Sequence, residues 1–195
     1  MVPARSDFPT SERSDDMLSD VEKILVTEEE LKEINKRLGA QITEDFKDKN
    51  LLVLGILKGC VFFMTDLVRN IELPLCIDFM TVSSYGSGTE STGRVKITKD
   101  VDIDIKDYDV LIVEDILDSG KTLNYVSDIL KTRGARSIKI VTLLDKPERR
   151  VAPITPDYVG CDVPDEFVVG YGLDYDQKYR NLPYIGQLRR SVYEK

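Results

Sequence analysis

VLIVEDILDSGKTL, residues 110–123, sets a four-residue apolar run against two acids and a Ser-Gly-Lys-Thr turn. Val110, Leu111, Ile112 and Val113 form a continuous apolar run, the pattern of a strand buried on both faces of a parallel sheet. DILDSG reads as a turn. From Lys121 to Thr132 the residues Leu123, Val126, Ile129 and Leu130 recur on one side of a helix. SIKIVTLL, residues 137–144, is the next strand. Strand, helix and strand in succession make a βαβ unit, so the class is α/β with a parallel sheet.

The turn itself poses a problem in phosphate chemistry. Gly120, Lys121 and Thr122 match the end of a P-loop, but that loop needs a glycine where Asp115 stands. Ser119, Gly120, Lys121 and Thr122 open a helix whose first N–H groups lack partners, which is enough for one phosphate group. Glu114 and Asp115 are acceptors when ionised, so they suit sugar hydroxyls or Mg²⁺ better than phosphate. A 5-phosphorylated ribose offers a phosphate to the helix and a diol to the acids. Asp118 would then lie near the reacting carbon of the sugar.

Working outward, Thr27 and Glu30 form a capping box ahead of Leu31, Ile34, Leu38, Ile42 and Phe46 at helical spacing, with KDKN ending the helix. LLVLGIL (51–57) is a buried strand, VFFMTDLVRNI (61–71) a helix, CIDFMTV (76–82) a strand and RVKIT (94–98) another. SSYGSGTESTGR between the last two is a loop by composition. Lys58-Gly59, the turn after Val113 and Asp145-Lys146 each follow a strand directly. Ligands on such sheets bind outside the carboxyl ends of the strands, so these turns are expected to converge at one rim. The ERR after Lys146-Pro147 is read as half surface charge. Residues 1–20 read as a mobile tail, and residues 21–195 as a single domain.

Composition narrows the chemistry. The chain has 195 residues, with 27 basic and 35 acidic ones and a net charge of −8. That balance argues against a general nucleic-acid binder. No apolar run approaches a membrane span or a signal peptide, and a cytoplasmic protein is expected. Cys60, Cys76 and Cys161 are dispersed and read as small packing groups. There is no histidine, so proton transfer falls to Asp, Glu, Lys or Tyr, and a metal site would be built from carboxylates.

Residues 110–123 closely resemble the phosphoribosyl-pyrophosphate (PRPP) motif of type I phosphoribosyltransferases. LLDKPERR (143–150), SSYGSG (83–88) and PDEFVVGYGLDY (164–175) are similar to the hypoxanthine-guanine branch of that family. The resemblance runs from the first helix to YRNLPYIG (179–186). It implies a central, mostly parallel sheet flanked by helices, with a small hood formed by terminal segments. It implies transfer of 5-phosphoribosyl from PRPP to N9 of a 6-oxopurine, with Mg²⁺, in a homodimer or homotetramer. Asp118 then matches the proposed general base at purine N7, and Asp118, Ser119, Gly120, Lys121 and Thr122 match the 5′-phosphate loop. Glu114 and Asp115 match the acids at the ribose hydroxyls, and with Asp174 they make the metal set. Lys146 matches the lysine at purine O6, Phe167 the aromatic stacked on the base and Val168 the backbone that reads its edge. Lys58, Gly59 and Arg180 match pyrophosphate contacts, and in the family the bond before that glycine is a cis peptide. Ser84 and Tyr85 sit where the family's loop closes, and residues 83–93 suit a lid. A regulator on the same fold, a PRPP synthetase, and adenine or xanthine specificity are the rival readings.

Overall fold

The computed structural model describes residues 17–84 and 95–194. In chain order, β1 (Val21–Val26) and α1 (Glu28–Asp45) lead into β2 (Leu51–Leu57), α2 (Val61–Val68) and β3 (Leu75–Ser84). Next come β4 (Val95–Lys99), β5 (Asp109–Leu117), α3 (Lys121–Thr132), β6 (Ser137–Asp145) and a short 3-10 turn at Pro147–Arg149. β7 (Tyr158–Asp162), β8 (Val168–Val169), β9 (Ile185–Leu188) and α4 (Arg190–Tyr193) complete the chain. Among the described residues no helix is long and apolar enough to cross a membrane.

The expected capping box is present. Thr27 Oγ1 accepts from the Glu30 N–H at 3.2 Å, and Glu30 Oε2 accepts from the Thr27 N–H at 2.7 Å. The central sheet has the order β4-β3-β2-β5-β6-β7, parallel throughout except for the antiparallel edge strand β4. Its apolar runs are explained by two cores. Leu111 and Val113 face the layer that holds Leu31, Leu38, Phe63 and Leu67 of α1 and α2. Val110 and Ile112 face Leu123, Val126 and Leu130 of α3 on the other side. Each buried side chain of this size contributes about 1.5–3 kcal/mol, so the sheet needs both layers.

Several boundaries differ from the reading of the sequence. β5 continues past Val113 to Leu117, because Ile116 and Leu117 keep the ladder with β6 at Leu144 and Asp145. Glu114 and Asp115 therefore lie in a strand, not at its end or in a turn. α2 stops at Val68, three residues short of the expected end, and β3 extends through Ser84 in a hairpin with β4. Ser83 and Ser84 belong to that strand and not to a lid loop; Tyr85 and the rest of the lid segment lie outside the described residues. Cys60 packs in the core as expected, but Cys76 is exposed, 3.6 Å from the Tyr108 hydroxyl.

A second sheet, β1-β9-β8, is antiparallel and joins the two ends of the chain, with Val26 opposite Ile185 and Val168 opposite Gln187. This is the hood. Its own small core holds Val169, Tyr179, Leu182 and Leu188, with Met17 and Tyr193 packed against them.

Strand order fixes where a ligand can sit. From β2 the chain passes through α2 to β3 on one side, then returns to β5 on the other. The helices that follow β2 and β5 lie on opposite faces of the sheet. The crevice between the carboxyl ends of β2 and β5 is thus the switch point of the sheet, the place where α/β folds bind ligands.

Candidate active site

Three turns meet at that crevice, as the sequence led us to expect. The turn after β5 begins at Asp118. Gly120 takes the left-handed conformation, φ 77°, and no side chain caps α3 behind it. The first-turn N–H groups are left for an anion. Lys121 is exposed and contributes chiefly its backbone; Thr122 is half-buried. The turn is held from below by Arg150. Its guanidinium donates to Asp118 O at 3.0 Å, Leu117 O at 3.3 Å and Ile154 O at 2.9 Å, and it pairs with Asp145. With its side chain only 16% exposed, Arg150 is the buried part of ERR, beside an Arg149 side chain that is 51% exposed. Carbonyl oxygens crowded at a strand end need donors, and a buried arginine supplies several at once.

Glu114 and Asp115 lie inside β5, on the stretch that approaches the rim. Glu114 Oε2 is enclosed and has no hydrogen-bond partner. Burial, then the neighbouring Asp115, pushes the Glu114 carboxyl well above the usual range. Asp115 is pushed up to about 6, mainly by burial, against the Ile116 N–H that donates to its Oδ1 at 2.8 Å. Two adjacent acids with an orphaned oxygen fit a bound cation or a pair of hydroxyl donors.

Gly59 faces Asp115. The cis peptide is Leu57–Lys58, one bond earlier than the bond before Gly59 that the resemblance implied, and a Cβ at Gly59 would collide with Asp115 Oδ2. Arg180 lies beyond, donating to Gly172 O at 2.6 Å and pairing with Asp174 at 2.7 Å. Asp174 also accepts from the Gln177 N–H at 2.8 Å, and Lys58 Nζ, which is exposed, reaches Gln177 Oε1 at 3.1 Å. Asp176, Gln177 and Tyr179 in this loop carry positive φ, the kind of backbone strain that collects at functional sites. Among the described residues no three acid, cysteine or histidine side chains converge to hold a metal. The expected set of Glu114, Asp115 and Asp174 is therefore not a cage. Asp174 is already engaged with Arg180, and a Mg²⁺ ion here needs oxygens from substrate as well.

The third turn carries the base side. Lys146 is only 6% exposed. Its Nζ donates to Glu166 O at 2.6 Å, and burial lowers its pKa against the pull of Asp165 and Asp118. Phe167 precedes β8 and is 38% exposed. Tyr193 stacks on it at 5.0 Å between ring centroids, and Tyr175 meets its edge at 5.5 Å. Ile116, Asp118, Lys146, Phe167, Val168 and Asp174 line one cleft of about 420 Å³. A larger, more apolar cleft of about 660 Å³ runs between β1, α1 and β7. It holds none of these groups, so the chemistry assigns the site to the smaller one.

Arg150, Gly172 and Tyr193 were missed in the sequence. A second arginine beside Lys146 was the sole local signal for Arg150. Tyr193 gave none, since its contact with Phe167 spans the hood.

Comparisons with known proteins agree with this geometry. The model of the phosphoribosyl transferase domain matches residues 21–176. The chain is 55% identical to hypoxanthine-guanine phosphoribosyltransferase of Staphylococcus epidermidis over 179 residues, which is 92% of this chain and 100% of that protein. It is 54% identical to the protein of the same name from Bacillus subtilis, over 91% of this chain and 99% of that one. A crystal structure of a hypoxanthine phosphoribosyltransferase from Staphylococcus aureus superposes with a TM-score of 0.89 at 55% identity, covering 92% of this chain and 97% of that one.

Proposed function

The chain belongs to the hypoxanthine-guanine phosphoribosyltransferase family, and we propose from that premise that it transfers 5-phosphoribosyl from PRPP to N9 of hypoxanthine or guanine. The observation that carries this reading is the single cleft shared by Asp118, Lys146 and Phe167, set beside an uncapped helix start. The phosphate loop takes the 5′-phosphate, Glu114 and Asp115 take the ribose hydroxyls, and Phe167 stacks on the base. Lys146 donates to O6, and the backbone at Val168 reads the purine edge.

As the bond between C1′ and pyrophosphate breaks, its electron pair leaves with pyrophosphate and C1′ gains oxocarbenium character. N9 donates its pair to C1′ while the proton on N7 passes to Asp118. Lys146 draws electron density toward O6 in the same step. Carboxylates near the sugar stabilise its positive charge, and Lys58 and Arg180 lie on the leaving-group side. Mg²⁺ would be held by Asp174, Glu114 and Asp115 together with substrate oxygens, and it neutralises the charge of pyrophosphate when bound. A lid over the pyrophosphate, formed by the segment that starts at Tyr85, keeps water from C1′. The working enzyme is a cytoplasmic homodimer or homotetramer.

Lys146 decides specificity, since an adenine amino group cannot accept a lysine proton. Steady-state kinetics with PRPP and each of four bases is the test. Hypoxanthine and guanine should turn over with kcat/KM at least ~100-fold above adenine, as for a site built to hydrogen-bond one group. Comparable use of adenine would refute the reading.

A further inference from the structure

Arg149 ends the 3-10 turn after β6 and reaches back over the cleft. Its Nε lies 3.0 Å from Asp118 Oδ1, and its Nη1 donates to Asp165 Oδ1 at 3.1 Å. Lys146 Nζ stands 3.8 Å from that same Asp165 oxygen. Asp118 Oδ1 is buried and has no hydrogen bond, so its ion pair with Arg149 is what covers it. The Asp118 side chain as a whole is nevertheless 43% exposed, and that exposure falls on its remaining atoms. Of the two carboxylate oxygens, that leaves Oδ2 as the one that can be exposed.

We infer that Arg149 is a positioning residue for the transfer: held by Asp165, it occupies one oxygen of Asp118 and aims the other at the purine. A carboxylate has lone pairs enough for both partners. An aspartate at the mouth of a cleft would otherwise share its rotamers with solvent, and a misaimed base loses proton-transfer rate steeply. Arg149 suits the task because its planar fork can engage two carboxylates in fixed directions, which a lysine cannot do. The inference rests on the reading of Asp118 as the acceptor of the N7 proton.

The pair is half exposed, so removing it should barely disturb folding. Arg149→Met, Asp118→Asn and the double variant, each assayed for kcat and for both KM values, form the test. Arg149→Met should lower kcat about tenfold with the KM for PRPP unchanged, and Arg149→Lys should recover part of the loss, as expected of a contribution made through the general base. In the Asp118→Asn background Arg149→Met should change kcat less than about twofold, because the group it positions is gone. Equal losses with and without Asp118, or an unchanged kcat in Arg149→Met, would overturn the inference. Full turnover in Asp118→Asn alone would instead remove the reading of Asp118 beneath it.

Discussion

Asp115 carries a cost that the substrate-free protein bears at neutral pH. Its carboxyl is pushed up to about 6 from 3.8, first by burial. A raised acid pKa means that the folded state binds the proton more tightly than the unfolded state does. The stabilising share is thus complete below about pH 4 and is lost as pH rises through about 6, on the order of 2–3 kcal/mol. Asp115→Asn keeps an acceptor for the Ile116 N–H and never ionises. In the absence of metal and PRPP it should melt several degrees higher than the parent at pH 7, with the gap closing near pH 4. Thermal melts across that range check this, and parallel pH curves would contradict it. The acids and the loop were legible in the sequence because their spacing is local, with Asp118 four positions after Glu114, whereas the role of Lys146 came only from family resemblance. Arg150 was not legible, because its partners at Leu117 and Asp118 lie more than thirty positions away.

At the scale of the element, α3 decides how the phosphate is held. Gly120 is left-handed, and a Cβ there would stand 2.6 Å from Ile154 Cγ2 and 2.9 Å from Arg150 Cδ. Gly120→Ala should cost about 1–3 kcal/mol of stability and push Arg150 off the turn it supports. The KM for PRPP should rise roughly tenfold, about 1.4 kcal/mol. Urea denaturation alongside PRPP titration measures both; parental stability together with parental KM would show that the turn tolerates a side chain. α3 was readable from its periodicity and β2, β5 and β6 from their apolar runs, whereas β7 gave no such signal. The end of β5 was not readable, since two acids look like a strand breaker until the partner strand β6 is known to run on beside them to Asp145.

The whole molecule is a doubly covered sheet with a hood fastened across it, and Tyr171 is one of the fasteners. Its hydroxyl donates to Asp66 Oδ2 at 2.6 Å on α2 and accepts from Asn35 Nδ2 at 3.0 Å on α1. Tyr171→Phe leaves both partners in place without their bond, so unfolding free energy should fall by about 1–3 kcal/mol. A urea midpoint unchanged from the parent would show that Asn35 and Asp66 find other partners. The α/β class was visible in the apolar runs, but the hood came only from family resemblance. β8 spans two residues and β9 four, too short for an alternating pattern to stand out.

The middle strand of that hood, β9, is also the last strand in the chain. A ribosome delivers the phosphate loop, the acids and Lys146 well before residues 185–188 emerge. Until they do, β8 has no neighbour within its sheet, and β1 waits unpaired at the other end of the polypeptide. The sugar-phosphate half of the enzyme can therefore assemble during synthesis, whereas the wall beside the base closes only after residues 185–188 have emerged.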